Sequence, residues 1–243
     1  MITSPYIERD SILHRLDPRV KIIGTAVFMG LGFMTRDPVY SPLIFVFTVL
    51  TFRILGKIKI KEQFYVLKPL IPIFLITFVT WPIIIDPWEK GVLIGIAYTF
   101  RLIGITIMAF GLVMTTKQRD LIRGFTKMGL PYEIGLTILI ALRYIPTLYY
   151  LAQNIMDAQK SRGLELEKGN FLERARKMIA IIIPLLVLTI KTAEELAIAM
   201  ESRGFGASRK RTYLIELKMT PIDYLALGII FLALALYLGL KFF

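Results

Sequence analysis

The 243-residue sequence has no cysteine, a single histidine (His14), two tryptophans, and only 18 Asp and Glu against 30 Lys and Arg. Each scarcity excludes a chemistry. Without cysteine there is no disulfide framework, thiolate zinc site, iron–sulfur cluster or thiol nucleophile. With one histidine there is no His-based metal cluster. Charge is also sparse, at 20% of residues, whereas 56% are hydrophobic and the mean hydropathy is +0.64. A water-soluble domain is roughly 45–50% apolar and about 25% charged. Part of this chain must therefore be hidden in lipid, and disordered or collagen-like classes are excluded.

The net charge of +12 has two readings: the footprint of a nucleic-acid binder, or the Lys/Arg surplus that membrane proteins keep on the cytoplasmic side. Position decides between them. Uncharged runs extend over Ile22–Thr35, Pro38–Phe52, Pro69–Ile85, Gly91–Thr116 (broken by Arg101) and Tyr224–Leu240. A helix needs about 20 residues to cross the hydrocarbon core, so the first two runs are short and need their flanking Lys21, Arg36 and Arg53 to reach the interface. Compact polar breaks at Arg36-Asp37-Pro38 and Asp86-Pro87-Trp88 separate the runs, with Trp81 and Trp88 at interfacial depth.

Two further apolar patches, Ile134–Ile155 and Met178–Ile190, carry Pro146 and Pro184. If the first crossed alone, the cation-rich residues 152–178 would lie outside. Both are read as amphipathic cytoplasmic helices packed on each other and on the membrane domain. The expected fold is thus an all-α integral membrane protein with about five transmembrane helices. Four form an N-terminal membrane domain over residues 1–116, a cytoplasmic region spans 117–218, and the last helix lies in 219–243. The N-terminus is expected in the cytoplasm and the C-terminus outside, and no cleavable leader is expected. This arrangement puts 24 of the 30 cations on one side, so the charge is topological and a nucleic-acid partner is not expected.

Ala158-x-x-Ser161-Arg162-Gly163 recurs 41 residues later as Ala199-x-x-Ser202-Arg203-Gly204. Glycine after a helix end is an ordinary left-handed cap, and a cation in the last turn complements the helix dipole. Capping alone does not require the same Ala, Ser and Arg at the same offsets. Two matched ends, each carrying a guanidinium suited to bidentate pairing, fit a partner with two similar acidic grooves.

With these motifs, the N-terminal Leu13-His14-Arg15-Leu16-Asp17-Pro18-Arg19-Val20-Lys21 and Gly129-Leu130-Pro131, the chain resembles the transmembrane T component of energy-coupling factor (ECF) transporters and its cobalt and nickel relatives. The resemblance implies a non-catalytic coupling scaffold. Long cytoplasmic coupling helices would dock Ala158, Ser161, Arg162 and Gly163, and Ala199, Ser202, Arg203 and Gly204, into two ATP-binding-cassette ATPase subunits. Those subunits would hold the ATP, so no cofactor is expected on this chain, and a separate small membrane subunit would bind the substrate, a vitamin or a transition metal ion.

Other features carry less. Gly124-Phe-Thr-Lys-Met-Gly129 has phosphate-loop glycine spacing but is followed by Leu130-Pro131 where Lys and Ser/Thr are required. Arg101 is an intramembrane charge with no partner evident from sequence. Gly91-x-x-x-Gly95 permits close helix approach, and Pro69, Pro72 and Pro82 are expected to bend the third span. His14 is expected at a surface or interface of the N-terminal helix, and the Glu165/Glu167 and Glu194/Glu195 pairs on solvated faces. A self-contained secondary transporter or channel is the alternative, but the spans show no matched inverted halves. A membrane enzyme lacks converging carboxylates, histidines or ligands.

Overall fold

The computed structural model describes residues 6–34, 40–165, 170–207 and 217–242. Among them the regular structure is helical: α1 (Ile12–Arg15), α2 (Pro18–Met34), α3 (Tyr40–Ile54), α4 (Ile60–Leu67), α5 (Ile71–Ile84), α6 (Trp88–Thr115), α7 (Gln118–Lys127), α8 (Tyr132–Ser161), α9 (Phe171–Ser202) and α10 (Pro221–Phe242). The chain divides into two compact units, one of residues up to 135 together with those from 217 onward, the other beginning at residue 136.

In the first unit, the prolines of the third apolar run take three positions: Pro69 in a 3-10 turn, Pro72 in the first turn of α5 and Pro82 inside that helix. Pro69 lacks the amide hydrogen of a regular turn, and Lys68–Leu70 becomes a 3-10 turn joining α4 to α5. The run drawn from sequence as Pro69–Ile85 is therefore part of a 25-residue helical stretch, Ile60–Ile84. This stretch, Trp88–Thr115 and Tyr132–Ser161 are, among the described residues, the three long and apolar enough to cross a membrane. Helices α2 and α3 are shorter, at 17 and 15 residues. By length and composition Tyr132–Ser161 stands beside the other two, where the sequence pattern had suggested an amphipathic helix.

Helix α6 is the centre of this unit, and glycine lets its neighbours close in. A Cβ at Gly91 would stand 2.7 Å from Pro82 Cα and 2.9 Å from the Trp81 carbonyl oxygen, and one at Gly95 would stand 2.9 Å from the Phe78 oxygen. Pro82 is what leaves that Phe78 carbonyl without its helical donor. The Gly-x-x-x-Gly spacing is thus the α5–α6 seam. Farther along, Gly104 faces the backbone of Phe45 and Gly111 lies against the Phe52 ring, bringing α3 onto the same helix. Phe52, Ile58, Leu67, Phe74, Ile107 and Met114 form the buried apolar cluster between these elements. Arg101 has aromatic neighbours that the sequence did not disclose, its guanidinium carbon lying 5.3 Å from the Phe33 ring centroid and 5.6 Å from that of Tyr98.

The stretch Leu13–Lys21 is a polar knot. Asp17 accepts from the Arg19 amide (2.9 Å), capping α2 behind Pro18 at its first turn. The Asp17 amide donates to Asp223 Oδ1 at 2.7 Å, while the Thr220 amide and hydroxyl each donate to Asp223 Oδ2 at 2.7 Å. Asp223 is 1% exposed, and this buried carboxylate joins the starts of α2 and α10. Lys21 Nζ donates to the His14 and Thr115 carbonyls at 3.2 and 3.1 Å and to the Thr116 hydroxyl at 3.3 Å.

The segment before the knot ties down other helix ends. The Ile7 amide donates to the Met114 carbonyl (3.0 Å) and the Leu13 amide to that of Leu55 (3.2 Å). Arg9 donates to the Lys57 carbonyl and pairs with Glu62, which also accepts from the Lys59 amide at the start of α4. His14 is an interface residue, as expected, with Nε2 2.9 Å from the Ile7 carbonyl and Nδ1 2.7 Å from Ser11 Oγ.

Candidate functional site

Helices α8 and α9 supply the two repeated ends. Asn170 and Glu173 start α9 with a reciprocal cap, the Asn170 amide donating to Glu173 at 3.3 Å. At the end of α8 the chain turns through Gly163, whose φ of +86° lies in the left-handed region. The Gly163 amide donates to the Lys160 carbonyl at 2.9 Å and the Leu164 amide reaches back to that of Gln159 at 3.0 Å. At the end of α9 Gly204 has φ +78°; its amide donates to the Glu201 carbonyl at 2.8 Å and the Phe205 amide to that of Met200 at 3.0 Å. These are the same cap in the same register. Ser161 Oγ donates to the Asp157 carbonyl and Ser202 Oγ to that of Ala199, each at 3.0 Å. Ser161 thus adds a second donor to a carbonyl that already lies within α8, whereas Ser202 reaches a carbonyl in the last turn of α9.

The structure also holds an internal comparison. At the end of α7, Gly129 has φ +119°, and the Leu130 amide donates to the Phe125 carbonyl at 3.0 Å. The same back-bond closes this end with Lys127-Met128-Gly129, with neither the serine nor the arginine. Capping accounts for glycine at all three ends and leaves Ser-Arg at two of them unexplained.

All eight motif residues, Ala158, Ser161, Arg162, Gly163, Ala199, Ser202, Arg203 and Gly204, are exposed. Among the described residues neither Arg162 nor Arg203 has an ion-pair partner, and a Cβ at Gly163 or Gly204 would meet nothing within 4 Å. Two open turns thus present two guanidinium forks that have no ion-pair partner among the described residues. Arg123-Gly124, the third Arg-Gly, is built differently. It lies inside α7, Arg123 pairs with Asp120 at 3.2 Å, and a Cβ at Gly124 would stand 3.1 Å from Pro18. Gly124–Lys127, the first part of the phosphate-loop lookalike, is likewise helix rather than loop.

One sequence expectation changes. The apolar run of α9 is not covered by α8: Ile182, Ile183, Leu186, Val187 and Ile190 are 45–61% exposed. A polar link joins the two helices instead, from the Gln159 side chain to the Ala180 carbonyl at 3.4 Å. Sequence reasoning passed over Gln159, and the signal that points to it is Pro184, four residues after Ala180.

An all-helical chain with membrane-length apolar helices defines a class, that of α-helical membrane proteins, and in this one two helix ends are duplicated and bear arginine. The sequence profile of the family described as cobalt transport protein (CbiQ) matches residues 9–214. Similar proteins carry the name energy-coupling factor transporter transmembrane protein EcfT. That of Acidaminococcus fermentans is 33% identical, over 96% of this chain and 94% of its own length. That of Thermosediminibacter oceani is 34% identical over 91% and 90%, and that of Lactococcus lactis subsp. cremoris 33% over 99% and 98%. The chain belongs to this EcfT/CbiQ-like family of ECF transporter T components and is a membrane component of a transporter.

Proposed function

We propose that the chain is the non-catalytic coupling subunit of an ATP-driven ECF-type importer. Arg162 and Arg203 dock into acidic grooves on two ATP-binding-cassette subunits, which bind and hydrolyse the ATP. Motion of those subunits passes through α8 and α9 to a separate small membrane protein that carries the substrate, a vitamin or a transition metal ion. The N-terminus and both docking ends face the cytoplasm, and the C-terminus lies outside. The observation that carries this reading is the contrast among the three caps: Ser-Arg is present where a partner would be met twice, and absent at Gly129 where the same turn is made.

The test is charge reversal. Loss of one buried, paired interfacial charge costs about 2–5 kcal/mol, at least about thirtyfold in affinity. Arg162→Glu and Arg203→Glu should each weaken, and together abolish, co-purification of the ATPase subunits, while the chain still inserts in the membrane. Normal ATPase yield with the double variant would refute the docking role. Uptake by the chain alone in liposomes would favour a self-contained transporter.

A further inference from the structure

Pro184 has no amide hydrogen, so within α9 the carbonyl of Ala180 loses the donor that a regular helix supplies from four residues on. The side-chain amide of Gln159, on α8, donates to that carbonyl. The backbone carbonyl of the same Gln159 accepts from the Arg162 and Leu164 amides at 3.1 and 3.0 Å, the bonds that close the first Ser-Arg-Gly cap. Nearby, Lys177 donates to the Glu165 carbonyl at 2.8 Å, just past that cap. Lys177 and Ala180 are three residues apart and share one face of α9. The first docking end is therefore fastened to α9 from both sides of its turn.

We infer that Gln159 is a positioning residue that clamps the Arg162 cap to α9 at the carbonyl Pro184 leaves bare, and so sets the separation of the two docking ends. From Ala180 to Arg203 is 23 residues, a rise of about 35 Å along a helix. One arginine is anchored that far along α9 from the other. Two properties are required at position 159: a hydrogen donor, and reach to the neighbouring helix. Glutamate has the reach without the donor, and lysine has both. The consequence for transport rests on the docking reading above; the clamp itself does not.

The absence of cysteine makes the test direct. Lys160→Cys and Glu201→Cys, at exposed positions beside the two caps, are spin-labelled in the full-length chain in lipid nanodiscs, and the interlabel distance distribution is measured by pulsed dipolar spectroscopy. Gln159→Leu and Gln159→Glu should broaden the distribution, whereas Gln159→Lys keeps it narrow. Pro184→Ala returns an amide hydrogen to the Ala180 carbonyl and should also broaden it, after which adding Gln159→Leu changes nothing more. An unchanged distribution in Gln159→Leu, or an equal further broadening on the Pro184→Ala background, overturns the clamp. Co-purification of ATPases with the unaltered chain is scored separately. If it fails while the distances respond as stated, the clamp stands and the docking reading falls.

Discussion

Replacing Gly163 or Gly204 by alanine should weaken binding of an ATP-binding-cassette partner by about 5–30-fold, and the size follows from the backbone. At φ +86° and +78° an L-residue pays about 1–2 kcal/mol for the left-handed conformation. No atom lies within 4 Å of either added Cβ, so steric overlap contributes nothing further. An exposed helix end opens locally at little free-energy cost, so the penalty passes into the capped fraction as a factor of about 5–30. A partner that binds only the capped end sees its apparent Kd rise by the same factor. Titration of a purified ATPase subunit onto the chain in nanodiscs measures it. Asparagine tolerates the left-handed region better, so Gly163→Asn should recover most of the loss. Gly129→Ala strains a cap that carries no arginine and should leave affinity unchanged. Full-strength binding by Gly163→Ala, or equal weakening by Gly129→Ala, would refute the reasoning.

Two predictions concern the first unit. Gly91→Ala places a methyl 2.7 Å from the backbone of Pro82; overpacking of about 1–3 kcal/mol outweighs the roughly 1 kcal/mol that alanine gains in a helix. Thermal unfolding in detergent should show a lower Tm for Gly91→Ala and no loss for Gly228→Ala, where the added Cβ meets nothing within 4 Å; equal Tm values would sink the seam. His14 is held below its ordinary pKa of 6.5 first by burial, with the Lys21 and Arg9 charges adding, against the Ile7 carbonyl and Asp10, which raise it. The unfolded chain therefore takes up a proton at a pH where the folded one does not, and stability present above about 6.5 is lost as pH falls below it. His14→Gln should flatten that acid-side fall in Tm; an identical fall would contradict it.

Legibility tracked the range of the interaction. Local periodicity and capping chemistry showed the helical class, the long apolar helix Trp88–Thr115 and the turns at Gly163 and Gly204, because those depend on neighbours in sequence. The Gly91/Gly95 spacing was visible too, but only the structure shows that the surface it admits is the backbone around Pro82. The uncharged run beginning at Pro69 understated its helix, because Lys68–Leu70 is a 3-10 turn inside the longer stretch Ile60–Ile84. The N-terminal motif was recognisable as a string of residues without its meaning: Asp17 and Lys21 act on Asp223 and Thr115, far along the chain. Gln159 was invisible for the same reason, since the carbonyl it serves is made available by a proline on another helix. The paired Ser-Arg-Gly ends were legible because duplication is a sequence property, as was the argument that capping alone does not call for Ser-Arg; the shared back-bond at Gly129 adds an example of the cap without them.

The most direct measurement places a photo-cross-linking amino acid at position 162, 203 or 128 of the full-length chain in its native membrane. The caps at Gly163 and Gly204 are predicted to capture an ATP-binding-cassette subunit from positions 162 and 203. Position 128, in the same turn geometry without arginine, is predicted to capture none. Capture from 128 alone, or from none of the three in membranes where the transporter is active, would contradict docking through the paired arginines.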